Sequence, residues 1–203
     1  MTDIAPAPLR IALGSSLPEP DESIARMITS GRSSLAFFLG DEACRYRLLA
    51  ASINWDRILI AYRDCTPLGY AAFKHHWRGP FSPGAGPFLR EFGRLRGAAR
   101  YLLFALTEGR EWYYGFYLYG LHVIKHARHQ GIASALLSAT FDQAGRAGYD
   151  RVELEVQVKN QRARRLYEHL GFIRVRTTPL NWLGRFLPFP SVINMRRTLK
   201  SLQ

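Results

Sequence analysis

The sequence predicts a mixed α/β fold that forms a single domain over residues 1–203. Segments with alternating or continuous apolar residues, typical of strands, are interspersed with segments whose apolar residues have helical spacing. The clearest pair of strands is the hairpin "RILIAYRDCTPLGYAAFKHH" at residues 57–76. The clearest strand-then-helix unit runs from residue 115 to Gly148. These two units are the basis of the predicted class.

The first third of the chain is expected to contribute one strand, two short helices and the hairpin. The strand is "LRIALG" at residues 8–13. Residues 22–54 carry helical apolar spacing, which breaks near "TSGRSS" and "LGDE". In the hairpin at 57–76, Pro67 and Gly69 are placed to turn the chain between two apolar runs.

An insertion is predicted over about residues 77–114. Residues 77–97 are rich in Gly, Pro and Arg and are too long for a simple connection, and a helix is expected at about 98–109. Basic and aromatic residues are interleaved here: Arg90, Arg94, Arg96 and Arg100 with Trp77, Phe81, Phe88 and Phe92. An amphipathic lid and a nucleic-acid-binding surface both have this pattern, so both interpretations remain open.

The C-terminal half alternates between strands and helices. A strand at 115–125 precedes a helix that begins at Ile132, and the alternating "RVELEVQV" at 151–158 is the next strand. The helix after it ends at Gly171 and places four residues inward: Ala163, Leu166, Tyr167 and Leu170. Two final strands, "FIRVRTTPL" and "SVINMRRTL", enclose the apolar loop "NWLGRFLPFP".

The composition is strongly basic, with a formal net charge of +12 and a pI of about 10.2. The basic residues are scattered and nearly all Arg, so the charge reflects either a surface for polyanions or a compositional bias. Cys44 and Cys65 make neither a disulfide framework nor a C-x-x-C site. No signal pattern and no apolar run near the ~20 residues of a membrane span occur, so we expect a cytoplasmic protein without a membrane partner.

The stretch "RHQGIA" at residues 128–133 lies where a predicted strand passes into a predicted helix. Gly131 allows the backbone to approach a ligand closely, and the N–H groups of the first helical turn have no partner within the helix. With the helix dipole these groups form a cradle for phosphates, to which Ser134 adds a hydroxyl. The spacing therefore indicates an anion-binding loop.

Two motifs surround this loop in the C-terminal half. They are "LHV" (121–123) followed by "RHQGIA", and the run Asn160, Ala163, Tyr167 and "GF" (171–172). On these residues the chain resembles the GNAT superfamily of acyl-CoA N-acyltransferases, over about residues 115–178. It departs from the family pattern at Lys125, where a proline is usual, and at Ala133, where the last small residue is often glycine.

The resemblance implies a GNAT fold, with a central mixed, mostly antiparallel sheet of about six to seven strands. Helices flank this sheet, and it is splayed at the acetyl-CoA site. Acetyl-CoA is the implied acyl donor, with its pyrophosphate on loop 128–134 and its pantetheine arm along the backbone of 121–123. The residues implied for cofactor binding are Leu121, His122, Val123, Arg128, His129, Gln130, Gly131, Ile132, Ala133, Ser134, Asn160, Ala163 and Tyr167.

Acyl transfer to an amine needs an acid for the leaving thiolate and a route for the amine's proton. The resemblance implies Tyr167 as the acid. Glu155 resembles the glutamate of ribosomal-protein N-terminal acetyltransferases and is the candidate base, with water as the alternative. Tyr117 and Tyr119 are candidates for the acceptor site, and Tyr119 is also a catalytic candidate. Alternation along the strand places His122 on the opposite face from Tyr117 and Tyr119.

The function implied is an acetyl-CoA-dependent N-acetyltransferase that acetylates a primary amine of a small molecule or peptide by direct attack. Two alternatives remain: a non-catalytic CoA-binding sensor, and an acetyltransferase for a nucleic-acid-associated substrate. The chain is expected to be a monomer or a homodimer. No metal is expected, since no zinc-like spacing accompanies the histidines His75, His76, His122, His126 and His129.

Overall fold

The computed structural model describes residues 7–17, 22–31, 36–109, 115–178 and 191–199. Within them seven strands form one open sheet in the order β1-β2-β3-β4-β5-β7-β6, and only β4 and β5 pair in parallel. The strands are β1 (Arg10–Leu13), β2 (Ile58–Arg63), β3 (Thr66–Lys74), β4 (Tyr117–Val123), β5 (Arg151–Gln157), β6 (Ile173–Thr178) and β7 (Val192–Thr198). The prediction of an α/β fold with a mostly antiparallel sheet of six to seven strands is confirmed.

Helices cover both faces of this sheet. They are α1 (Glu22–Ser30), α2 (Ala36–Leu39), α3 (Glu42–Leu49), α4 (Ala85–Phe92), α5 (Arg94–Gly109), α6 (Ile132–Arg146) and α7 (Gln161–His169). Helices α6 and α7 enclose one core, which contains Leu136 and Leu154. Helices α1 to α5 enclose a second core on the other face, which contains Ile58 and Phe88. None of the described helices is long and apolar enough to cross a membrane.

The N-terminal third differs from its prediction in two details. Three α-helices replace the expected two, because Gly40 ends α2 with a φ of +87° and Asp41 starts α3 by accepting a hydrogen bond from the N–H of Cys44. The hairpin turns at Asp64 and Cys65, both with positive φ, rather than at the proline and glycine that follow them. Pro67 and Gly69 instead lie inside β3.

The predicted insertion contains the helical pair α4 and α5. Helix α5 begins at Arg94 rather than near residue 98, and it crosses α4 closely at Gly97, where a Cβ would clash with the carbonyl oxygen of Phe88. Phe88 and Phe104 are buried in the second core, and Arg100 donates a hydrogen bond of 2.8 Å to the carbonyl oxygen of Phe38. Most of the aromatic rings that the structure describes in this segment therefore pack inward. The apolar loop at 181–190 lies outside the described residues.

A β-bulge in β4 changes which side chains share a face. Ala72 pairs with Gly120 and Phe73 with Leu118, so Tyr119 is the extra residue of β4. The bulge reverses the alternation beyond it. His122 therefore stacks on Tyr70, 5.9 Å between ring centroids, on the same face as Tyr119. The prediction that His122 lies opposite Tyr119 is wrong, because strict alternation does not hold across a bulge.

The two parallel strands separate soon after they meet. β4 and β5 pair only at Tyr117 with Glu153 and at Leu118 with Leu154. Beyond these positions β5 continues to pair with β7, whereas β4 continues to pair with β3. The sheet therefore has an opening in its middle, whose first residues are Tyr119 on one side and Glu155 on the other.

A histidine next to the sheet makes stability depend on pH. Burial, with a smaller effect of Arg57, lowers the pKa of His75 from 6.5 to about 4. Between these values the unfolded chain binds more protons than the folded chain, so the free energy of unfolding falls as pH drops from 6.5 towards about 4. We expect this loss to be about 1–2 kcal/mol, since the side chain is partly solvated. In His75→Phe a phenyl ring takes the place of the imidazole against Phe73, so this loss of unfolding free energy should disappear.

Denaturant unfolding at about pH 7.5 and about pH 4.5 measures this difference. His169→Gln, at an exposed position on α7, is the control. Its free energy of unfolding should fall between the two pH values by as much as that of the wild-type chain. An equal loss in His75→Phe and wild type would assign the pH dependence to other groups.

Candidate active site

A cradle of backbone N–H groups lies at the start of α6. Gly131 precedes the helix with a φ of +74°, no side chain caps its first turn, and His129 also has a positive φ of +66°. A Cβ at Gly131 would meet nothing within 4 Å, so open space lies in front of these N–H groups. The 15-residue helix directs the positive end of its dipole into that space. The arrangement fits a phosphate group.

The cradle opens into a cavity of about 500 Å³ between α6, α7 and the end of β4. Its walls include every residue predicted for cofactor binding except Gln130. The Gln130 side chain points elsewhere, because its Oε1 accepts a hydrogen bond from Arg63 and its Nε2 donates one to the carbonyl of His126. The roles of these residues in binding remain predictions, but the fold does bring them together.

Three further residues line the cavity and were not predicted: Ala127, Arg162 and Leu166. Arg162 lies in the first turn of α7, and its Nη2 is 3.0 Å from Nε2 of His129. Arg128 crosses towards β4, where its Nε donates a hydrogen bond of 3.1 Å to the carbonyl of Val123. Two guanidinium groups therefore add to the positive potential of the cradle. The position of Arg162, two residues after Asn160, was the available sequence signal.

Asn160 and Tyr167 are held by α7. The side chain of Asn160 caps the helix by accepting a hydrogen bond of 3.1 Å from the N–H of Ala163. Tyr167 is 8% exposed, packs its ring on Phe172, and lines the cavity. Burial raises the pKa of Tyr167 from 10.0 to about 12. Its hydroxyl makes no hydrogen bond within the described residues, so it is available to a ligand as a protonated donor.

The other candidate catalytic residues lie on the opposite face of the sheet. Glu155 alternates with Leu154 and Val156, which belong to the core that contains Tyr167, so Glu155 and Tyr167 do not face each other directly. Tyr119 lines a small cavity of about 100 Å³ on the same face as Glu155. Tyr117 is buried and lines neither cavity. An acid on one face and a base on the other would meet only through the opening between β4 and β5.

A carboxylate from α5 lies next to Tyr119. The Tyr119 hydroxyl donates a hydrogen bond of 2.6 Å to Oε1 of Glu108, near the end of α5. No motif marks Glu108 in the sequence, because only the packing of α5 brings it to β4.

Burial, and to a smaller extent Arg128, lowers the pKa of His122, so its ring is neutral at pH 7. The described residues contain no group of three or more His, Cys, Asp or Glu arranged to hold a metal ion.

Comparison with known proteins gives the class to which this fold and site belong. The model of the Acetyltransferase (GNAT) family matches residues 33–172. The chain belongs to this family.

Individual relatives match shorter stretches of sequence. N-alpha-acetyltransferase 30 of Schizosaccharomyces pombe is 38% identical over 60 residues, which are 30% of this chain and 40% of that protein. Mycothiol acetyltransferase of Beutenbergia cavernae is 45% identical over 58 residues, 29% of this chain and 20% of that protein. The chain thus matches less than half the length of these relatives.

Two solved structures resemble the whole chain in fold. Ard1 from Thermoplasma volcanium has a TM-score of 0.54 at 14% identity and covers 95% of this chain and 98% of its own. The ribosomal-protein-S18-alanine N-acetyltransferase from Escherichia coli has a TM-score of 0.51 at 14% identity, with 96% of each chain covered. At this identity the similarity establishes the fold alone.

Proposed function

We propose that the chain is an acetyl-CoA-dependent N-acetyltransferase that acetylates a primary amine by direct attack of the amine on the thioester. One observation carries this proposal: a single cavity of about 500 Å³ extends from the phosphate-type cradle at Gly131 to the buried hydroxyl of Tyr167. The family to which the chain belongs and the opening between β4 and β5 support it.

Acetyl-CoA fits the residues of this cavity. The open space in front of Gly131 and the guanidinium groups of Arg128 and Arg162 suit a pyrophosphate. Beyond Leu118, the edge of β4 that no longer pairs with β5 offers backbone groups to an amide-containing arm, while its other edge stays paired with β3. When bound, acetyl-CoA supplies an activated acetyl thioester. Tyr167 would donate its proton to the leaving thiolate sulfur, because its raised pKa of about 12 keeps the hydroxyl protonated at all working pH values.

The acceptor is proposed to be a primary amine of a small molecule or a peptide. It would reach the thioester from the face that carries Tyr119 and Glu155, since the cofactor cavity occupies the other face. The helical pair α4 and α5 would then form one wall of the acceptor site. This gives the predicted insertion over about 77–114 a role in acceptor binding.

Release of free CoA thiol in the presence of acetyl-CoA and an amine panel tests this function. The panel contains short peptides with free α-amines, lysine peptides with blocked N-termini, and small primary amines. We expect amine-dependent thiol release. Binding of acetyl-CoA without turnover on any amine would favour the CoA-binding sensor instead. Turnover confined to RNA-bound amines, with an affinity that falls steeply with salt, would favour the nucleic-acid-associated alternative.

Arg162 allows a separate test of where the phosphates lie. Arg162→Ala removes a cation from the cavity wall, so acetyl-CoA should bind about fivefold more weakly at low salt, with a smaller difference at high salt. Arg165→Ala, on the same helix and outside the cavity wall, is the matched control. Equal affinities of both variants and wild type in titration calorimetry would exclude Arg162 from phosphate binding.

A further inference from the structure

Glu108 is fixed at the acceptor side of the site by two separate contacts. Its Oε1 accepts the 2.6 Å hydrogen bond from the Tyr119 hydroxyl. Its backbone carbonyl accepts a hydrogen bond of 2.6 Å from Nζ of Lys74, whose side chain is buried on β3 and whose Nζ lies 3.8 Å from Oε2 of the same glutamate. The cation of Lys74 therefore holds the C-terminal end of α5 against the sheet and sets the position of the carboxylate.

Tyr119 occupies the position through which this carboxylate can act. It is the bulged residue of β4 and the first residue beyond the last β4–β5 pair. Its ring lines the small cavity together with Tyr70 and Phe81, and this cavity is on the face opposite the cofactor cavity. An amine that enters the opening from this face passes the Tyr119 hydroxyl, whose proton already points at Glu108.

We propose that Glu108 is a positioning residue for the acceptor amine, which orients Tyr119 and receives through it the proton that the ammonium group must lose. This inference rests on the proposed function. The amine N–H proton passes to the Tyr119 oxygen while the Tyr119 proton passes to the Glu108 carboxylate, and solvent later removes it. The neutral nitrogen forms the N–C bond, the C–S bond breaks, and the thiolate takes its proton from Tyr167. The nitrogen then loses its surplus proton to solvent, and solvent returns a proton to Tyr167. Ammonium and acetyl thioester thus give amide, free thiol and one proton.

Glu108→Gln tests this role, because it keeps the backbone contact with Lys74 and removes the acceptor of the proton. With the fastest amine of the panel, kcat/KM should fall about 10- to 100-fold at a pH below the pKa of that amine. The deficit should shrink to about threefold or less above that pKa, about 7.7–8.0 for an α-amine, since the substrate is then already neutral. A merely structural defect would not depend on the ionisation of the amine. Glu108→Asp should restore part of the rate.

Tyr119→Phe should show the same pH-dependent deficit, and the double variant should lose little more than either single variant. Glu91→Gln removes another carboxylate of the insertion, which pairs with Arg47 on α3, and should leave the pH profile unchanged. Acetyl-CoA binding by each variant reports an intact fold. Provided that the wild-type chain is active, two results would overturn the role of Glu108. One is a kcat/KM of Glu108→Gln equal to that of wild type, and the other is a loss of kcat/KM that is the same at both pH values. A wild-type chain that acetylates no amine would overturn the proposed function itself.

Discussion

Gly131→Asp is expected to abolish acetyl-CoA binding while leaving the fold intact. The new side chain would fill the open space in front of the α6 N–H groups and bring a negative charge to the position proposed for the pyrophosphate. Two unit charges about 4 Å apart repel by about 4 kcal/mol at an effective dielectric constant near 20. A loss of even about 2.7 kcal/mol raises Kd about 100-fold. Titration calorimetry with acetyl-CoA measures the change.

Gly148→Asp is the matched control for this substitution. Gly148 follows the same helix at its other end, with a φ of +80° and open space around its Cβ position. Both variants therefore bear the cost of a side chain at left-handed φ, about 1 kcal/mol, and only Gly131→Asp blocks the cradle. Unchanged affinity in Gly131→Asp would mean that the pyrophosphate lies elsewhere.

Tyr167→Phe is expected to lower kcat about 100-fold or more, with the Kd for acetyl-CoA within about twofold of wild type. The substitution keeps the ring packed on Phe172 and removes only the hydroxyl of a residue that lines the cavity. Because the pKa of Tyr167 is about 12, kcat of the wild-type chain should show no loss from deprotonation of this residue below about pH 10. Steady-state kinetics across pH check both expectations.

Tyr149→Phe controls for the general effect of removing a tyrosine hydroxyl. Its ring packs on Phe116 and does not line the cofactor cavity, so kcat should stay within about twofold of wild type. If Tyr167→Phe and Tyr149→Phe had the same kcat, the thiolate would have to take its proton from water or another residue.

The residues that line the cavity proposed for the cofactor could be singled out from the sequence because they belong to local signals. "RHQGIA" combines a glycine that tolerates positive φ with the start of a helix, and both features are properties of a few adjacent residues. Asn160 and Tyr167 belong to one short segment, in which Asn160 caps α7 and the inward position of Tyr167 follows from helical spacing. Local patterns of this kind do not depend on how distant segments pack. The residues that they single out line one cavity in the structure.

The face proposed for the acceptor could not be described in the same way, because its geometry depends on contacts between distant segments. The bulge at Tyr119 places His122 on an unexpected face, and no residue type in β4 announces it. Glu108 meets Tyr119 in a fold where α5 crosses α4 closely at Gly97 and Lys74 contacts the end of α5. Alternation and helical spacing describe single elements, whereas these features arise from how elements pack.

Thermal unfolding with and without acetyl-CoA tests the central claim, that the cavity at the start of α6 binds this cofactor. At about a hundredfold excess over Kd, binding should add about 2.7 kcal/mol of stability. For a domain of this size the midpoint should rise by about 5–10 °C, well beyond the shift with adenosine diphosphate, which lacks the pantetheine arm and the thioester. Gly131→Asp should show no such rise. No shift of the wild-type midpoint at millimolar acetyl-CoA would contradict the account.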